Sequence, residues 1–374
     1  MVNSLYIHIP FCRKKCFYCN FYSIKPDVEI VSAYIKALCR QINESSGKFS
    51  TVYVGGGTPT VLNLKLWQEL LTSVEKKCGN IEEYTIEANP ESFNARQAEL
   101  FLDKGVNRLS LGFQSFNDVK LKKLGRIHSA NQALEAFALA RRSGFKNINV
   151  DLIFGTEAET LEDWEKELSL AIKISPEHIS LYGLSYEKNT PLYSEFKESR
   201  ITPLDEALVG RMYTYALGRL PRAGFLQYEV SNFAKKGFLC RHNMNYWRNG
   251  SYLGFGPSAV SYLNGRRMLN ISDVKEYIKQ LDNNRGVVIR QEKLSRIRRA
   301  KETAAIKIRT KEGIDFSWFK QATGIDFMNL ESKAINELIE GGLIRYKRSG
   351  GAYKGVCLSR KGFLFCDSVS SSLL

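Results

Sequence analysis

Six short runs in the first half of the chain are rich in β-branched and aromatic residues: LYIHIP from Leu5, TVYVGGG from Thr51, YTIEANP from Tyr84, RLSLGFQS from Arg108, INVDLIFG from Ile148 and HISLYGLS from His178. Their length and composition predict strands. Amphipathic segments lie between them, with Asn63, Asn94 and Ser129 placed as capping residues and Gly79, Gly105 and Gly144 placed to end them. These predict helices. Strands alternating with helices at intervals of roughly 25 to 45 residues indicate repeated βα units and a parallel sheet.

A barrel and a doubly wound sheet both satisfy that pattern, and the polar residues arbitrate between them. Each run ends in chemistry: Cys12, Cys16 and Cys19 follow the first, Gly55 to Thr58 the second, Glu87 and Gln114 close the third and fourth, Asp151 lies in the fifth, and Ser185 ends the sixth. A crown of functional groups at successive carboxyl ends is the mark of a barrel mouth, whereas a doubly wound sheet gathers its ligand at one switch point. The reading is an α/β chain: an open six-stranded (β/α) partial TIM-like barrel over residues 1–202, and a barrel-associated segment over 203–293 with one long helix and an aromatic, Gly-rich stretch. Residues 294–374 complete it as a C-terminal winged-helix-like α+β domain, in which three helical segments precede two short strands around Ser-Gly-Gly.

Composition narrows the classes. At 374 residues with 44% hydrophobic and 25% charged positions, the chain is globular, with no run of the roughly 18 apolar residues that a membrane helix needs and no signal-peptide pattern. A cytoplasmic location is expected. Of eight cysteines, three are clustered and Cys39, Cys78, Cys240, Cys357 and Cys366 are scattered, which is no secreted disulfide framework. The net charge is +15, and from Arg285 onward 18 Lys and Arg stand against 9 Asp and Glu. Such a surface suits nucleic acid, an anionic membrane, a small polyanion or plain solvation, and charge alone does not choose among them.

The thiols at i, i+4 and i+7 can wrap one face of an iron–sulfur cube, and three ligands leave one iron open. A zinc site completed by a distant Cys or by His8 is the alternative on spacing alone. Glu87, Asp151, Gln114, Thr58 and Arg126 can each bind a ligand's polar groups or serve singly as a solvated strand end or structural ion pair.

The arrangement CxxxCxYC, here Cys12, Cys16, Tyr18 and Cys19, resembles the radical S-adenosylmethionine superfamily. That likeness implies a [4Fe–4S] cluster on the three cysteines and S-adenosylmethionine on the open iron, where electron transfer to the sulfonium can yield a 5′-deoxyadenosyl radical. With YIHIPFC, GGGTP, GFQSF and DLIFG added, the chain resembles the oxygen-independent coproporphyrinogen III oxidases and their HemW-type haem chaperone paralogues. By motif position, the resemblance assigns S-adenosylmethionine contacts to Tyr6, Tyr18, Gly56, Gly57, Thr58, Glu87, Gln114, Arg126 and Asp151, with Ser185 added from its place after the sixth run. It assigns no catalytic side chain.

Two departures from the oxidases point to the chaperone branch: Phe21 stands where they carry a further cysteine, and only eleven residues precede Cys12. RHNMNYW matches the HNxxYW motif of the chaperones, which implies haem contacts at His242, Asn243, Tyr246 and Trp247, with His242 as axial ligand and Arg241 and Arg248 near enough to meet propionates. The expected function is a cytoplasmic haem chaperone that passes haem to an acceptor protein. The alternative is the oxidase that decarboxylates two propionates of coproporphyrinogen III. In this subgroup the C-terminal module resembles a cap over the barrel opening, so nucleic acid is not expected, while peripheral association with an anionic membrane stays open.

Overall fold

The computed structural model describes residues 3–330 and 332–374, with Ser332 and Ser349 described by backbone alone. The first half alternates as the sequence predicts: β1 (Ser4–Ile9), α1 (Val28–Glu44), β2 (Thr51–Gly56), α2 (Leu64–Cys78), β3 (Glu83–Ala88), α3 (Ala95–Asp103), β4 (Arg108–Gln114), α4 (Asp118–Lys123), α5 (Ala130–Ser143), β5 (Ile148–Phe154), α6 (Leu161–Ile174) and β6 (His178–Gly183). The six strands pair in parallel in chain order. The capping residues act as expected, since Asn63, Asn94 and Ser129 accept hydrogen bonds from the first turns of their helices. Each satisfies a donor that the helix start leaves without a partner.

Strand register explains how the sheet carries a site. One face presents Leu5, Ile7, Val52, Val54, Ile86, Leu109, Leu111, Val150, Leu152, Ile179 and Leu181, all buried in the main core under the helices. The other face presents Tyr6, His8, Thr51, Tyr53, Glu83, Thr85, Glu87, Arg108, Ser110, Asn149, Asp151, His178 and Ser180. Parallel strands covered on both faces read as nearly continuous apolar runs, and a closed barrel fills its interior with branched aliphatics. Alternation here means that the inner face is built to line a polar space. Residues after β1 and after β6 line one cavity, so the sheet curls.

The chain beyond β6 extends the sheet at both edges. After α7 (Pro191–Lys197) and α8 (Glu206–Arg222), β7 (Leu226–Gln227) and β8 (Asn232–Ala234) add antiparallel beside β6. Helix α9 (Arg241–Trp247) follows, and β9 (Leu253–Phe255) then pairs in parallel with β1, which covers the other edge. A second sheet of β10 (Val260–Leu263), β11 (Arg266–Asn270) and β12 (Val288–Lys293) encloses α10 (Val274–Asp282), which packs on α1.

The winged-helix-like C-terminal part comprises α11 (Arg296–Lys307), β13 (Ile314–Asp315), α12 (Phe316–Thr323), α13 (Ser332–Glu340), the hairpin β14 (Ile344–Ser349) and β15 (Ala352–Leu358), and the short helices α14 (Arg360–Leu364) and α15 (Cys366–Ser372). It joins the barrel through backbone bonds of 228–230 with 309–311 and through the Arg309 guanidinium over the Trp247 ring, 5.8 Å from its centroid. No helix among the described residues is long and apolar enough to cross a membrane.

Helix α3 offers a clean test of this local logic. Its Asn94–Gln97 capping box satisfies two backbone donors reciprocally, so Asn94→Ala should lower the unfolding free energy by about 1 kcal/mol in urea titrations.

Candidate functional site

The loop after β1 carries the three thiols into the mouth of the curled sheet. Backbone bonds fix its two ends: Cys12 N–H donates to Ile24 O at 3.0 Å, and Phe17 N–H donates to Leu124 O at 3.1 Å. Cys12, Cys16 and Cys19 all line a cavity of about 400 Å³, and every residue of that lining falls between Cys12 and Glu187. Among the described residues the C-terminal part supplies none of that wall. Its bonds run to the segment 228–230 and, through Glu302, to Asn249 and Arg267, while Arg309 stacks on Trp247 of α9. All eight cysteines are free thiols. The zinc reading finds no support at His8, because its Nε2 bonds Tyr22 O and its Nδ1 bonds the Tyr6 hydroxyl, each at 3.0 Å. Among the described residues no three His, Cys, Asp or Glu side chains gather around a point that one ion could occupy.

The same cavity is lined by Tyr18, Gly56, Gly57, Thr58, Glu87, Gln114, Arg126, Asp151 and Ser185, so all but one of the residues assigned to S-adenosylmethionine meet there. Tyr6 does not line it; its hydroxyl is held by His8 one layer below. Gln114 takes a left-handed backbone with φ of 65° at the end of β4, a conformation that non-glycine residues rarely adopt outside constrained sites.

The glycines also serve the packing beneath the cavity. A side chain on Gly55 would strike the Glu87 carboxylate, one on Gly56 the His8 ring, and one on Gly57 the backbone of Phe11 and the Cys12 sulfur. They let β2 pack against the carboxylate and the thiol loop, and with φ of 111° Gly56 adopts a backbone that suits glycine.

Glu87 is half-buried as a residue, with its carboxyl below the mouth. Oε1 accepts from the Tyr53 hydroxyl at 2.8 Å and Oε2 from Gly56 N–H at 3.2 Å. Burial pushes its pKa up to about 7 against those two donors. Asp151 is likewise pushed up by burial, countered by hydrogen bonds from Ser180, Asn149 and Ser110. Arg126 points its Nη1 at Cys16 Sγ at 3.4 Å and its Nη2 at Asn89 Oδ1 at 2.8 Å. Thr58 Oγ1 likewise stands 3.5 Å from Cys12 Sγ. Tyr53 and Asn89 were missed in the sequence. The available signals were the register of Tyr53 opposite Tyr6 and the position of Asn89 one residue past the end of β3.

The HNxxYW motif lies at the other end of the barrel. It forms α9, pinned beneath β2 and β3 by Glu83, whose carboxylate accepts from the backbone N–H groups of Arg241 and His242 at 2.8 and 2.9 Å. His242 is fully buried. Thr51 donates its own hydroxyl proton to Ser4, so it accepts from His242 Nδ1 at 3.0 Å, which leaves Nε2 to accept from the Tyr246 hydroxyl at 2.8 Å. Both ring nitrogens therefore have protein partners, and axial ligation by His242 would require one of these hydrogen bonds to be given up. Tyr246 packs edge-on to Tyr252, Trp247 lies under Arg309, and Asn243 is half-buried. Arg241 pairs with Glu82, and Arg248 shares with it an open groove that also touches Leu239, Met244 and Asn245.

Comparison with known proteins follows the same division of the chain. Residues 6–171 match the Radical SAM superfamily model and residues 294–365 match the HemN C-terminal domain model. The chain is 33% identical to the haem chaperone HemW of Bacillus subtilis, over 100% of this chain and 99% of that one. It is 32% identical to the HemW of Lactococcus lactis, over 100% and 97%. A solved structure of the Escherichia coli coproporphyrinogen III oxidase HemN, a radical SAM enzyme, superposes with a TM-score of 0.84 at 22% identity, covering 100% of this chain and 90% of that one, which shows a shared fold.

The geometry of α9 makes His242 a strut. His242→Ala should lower the unfolding free energy by about 2 to 4 kcal/mol through lost packing and two broken hydrogen bonds. Burial holds the imidazole pKa down at about 3, whereas the unfolded chain takes up that proton near about pH 6.5. The contribution is therefore present above about pH 6.5 and is lost as pH falls, at up to about 1.4 kcal/mol per pH unit. Urea titrations of both proteins at a series of pH values should show the gap between them narrowing below neutrality.

Proposed function

The chain belongs to the radical S-adenosylmethionine superfamily and, within it, to the HemW family, and from that premise we propose that it is a haem chaperone that binds haem and passes it to an acceptor protein. The observation that carries this reading is the end-to-end likeness to a named haem chaperone at 33% identity. The proposal includes a cytoplasmic location. It also includes a basic C-terminal face turned toward an acidic acceptor or an anionic membrane rather than toward nucleic acid.

The family implies a [4Fe–4S] cluster and S-adenosylmethionine, and the mouth suits both: three thiols and no fourth line the cavity, beside two buried carboxyls. Cys12, Cys16 and Cys19 would hold the cluster. Glu87 and Asp151 would accept hydrogen bonds from the ligand's ammonium and ribose hydroxyls, with Tyr18, Gln114 and Ser185 around it. When bound, the pair supplies one-electron chemistry at a sulfonium. For haem, Arg241, Met244 and Arg248 in the groove beside α9 offer cations for propionates and an apolar floor, a role that leaves His242 buried. Phe21 stands 62% exposed at the mouth, where the oxidases carry a further cysteine.

Anaerobic reconstitution followed by haem titration and coproporphyrinogen turnover decides between delivery and oxidation. We expect stoichiometric haem binding without turnover; efficient conversion to protoporphyrinogen would overturn the chaperone reading. Replacing Cys12, Cys16 and Cys19 by Ala should abolish cluster absorbance while leaving the far-ultraviolet dichroism unchanged.

Because Glu87 ionises near pH 7, affinity for the cationic S-adenosylmethionine should weaken as pH falls from about 8 to about 6, by up to about tenfold. In Glu87→Gln it should be weaker throughout and nearly flat, as equilibrium dialysis would read.

A further inference from the structure

Two of the three thiols at the mouth meet a hydrogen-bond donor, and both donors are held by a single amide. Arg126 reaches Cys16 Sγ through Nη1 while its Nη2 donates to Asn89 Oδ1. Thr58 reaches Cys12 Sγ through a hydroxyl that also accepts from Asn89 Nδ2 at 3.0 Å. The direction of this chain is forced. A guanidinium has donors and no acceptor, so Asn89 must turn its oxygen toward Arg126 and its NH₂ toward Thr58. Thr58 then accepts from Asn89 and can give its own proton to Cys12 Sγ, which as a thiolate only accepts.

The amide itself is locked from behind. Asn89 N–H donates to Thr60 Oγ1 at 3.3 Å, and Asn89 O accepts from the backbone of Ser92 and Phe93, each at 3.1 Å. Gly112 keeps the space open, since a side chain there would approach Asn89 Oδ1 to 2.9 Å. Arg126 is further fixed by Gly112 O at 3.1 Å.

We infer that Asn89 is a positioning residue for the iron–sulfur cluster: it orients the Thr58 hydroxyl onto Cys12 and the Arg126 guanidinium onto Cys16 and thereby raises the cluster's reduction potential. The inference rests on the proposal that the three thiolates hold a [4Fe–4S] cluster. Reduction adds one electron to an already anionic cluster, and donors aimed at its sulfurs stabilise that added charge. Asn89 touches neither cluster nor ligand directly, and its effect passes through Thr58 and Arg126.

The test is a redox titration of the reconstituted protein against dithionite, without S-adenosylmethionine, with the reduced cluster counted by electron paramagnetic resonance and iron content measured for each variant. Asn89→Asp keeps an acceptor for Arg126 but has no N–H for Thr58, so the hydroxyl turns to the new carboxylate and leaves Cys12. Thr58→Val removes that donor outright, and Thr58→Ser retains it. At one fixed ambient potential, Asn89→Asp and Thr58→Val should show a reduced-to-oxidised ratio about tenfold lower than the parent, equivalent to about 59 mV for a one-electron couple. Thr58→Ser should match the parent.

Equal ratios in the parent, Asn89→Asp and Thr58→Val at equal iron content would overturn the inference. If Asn89→Asp fails to hold iron, Asn89→Ala takes its place with the same expected fall, and a ratio equal to the parent's in that variant overturns the inference. A parent chain that takes up no cluster would instead sink the cluster reading itself.

Discussion

A polar inner face survives inside a protein only if its buried donors and acceptors find partners, and most of this barrel follows from that requirement. Six strands bury an apolar face beneath their helices and turn Tyr, His, Thr, Glu, Arg, Ser, Asn and Asp toward one another. At mid-height Asn149 bonds Ser110, Asp151 and His178, while the far nitrogen of His178 meets Tyr228. At the base Glu83 receives the first turn of α9, and His242 ties that helix to Thr51. Leaving one such group without a partner costs about 1 to 3 kcal/mol, so this network selects which side chains the interior accepts.

The two ends of the barrel consequently do different work. The base is closed, since α9 fills it and His242, Tyr246 and Glu83 consume one another's hydrogen bonds. The mouth is open, with two carboxyls whose pKa values burial raises and three thiols free of disulfides. A cationic cofactor meeting Glu87 there would favour its ionised form. The HNxxYW motif closes the base through its histidine, while Arg241, Met244 and Arg248 line an open groove on its outer surface.

Much of the site was legible because most of its residues sit on or just after the strands, where βα topology delivers side chains to one rim. Cys12, Cys16 and Cys19 could be picked out by spacing, Glu87 and Gln114 by the ends of their strands, and Asp151 as a carboxyl within the fifth strand. Asn89 carries no motif: its importance comes from standing between Thr58 and Arg126, which are 68 positions apart in the chain. Tyr6 went the other way, because strand register puts its hydroxyl on His8 beneath the cavity.

The sequence by itself determined the alternation of strands and helices, the caps at Asn63, Asn94 and Ser129, and the gathering of thiols and carboxyls at one rim, because these depend on residues close in the chain or on one repeated topological rule. Only the tertiary structure decided that His242 is occupied on both nitrogens, that three adjacent glycines answer to three different neighbours, and that Asn89 sets the direction of the hydrogen bonds facing Cys12 and Cys16. Those outcomes depend on which lone pair meets which proton, and that is settled when distant segments pack.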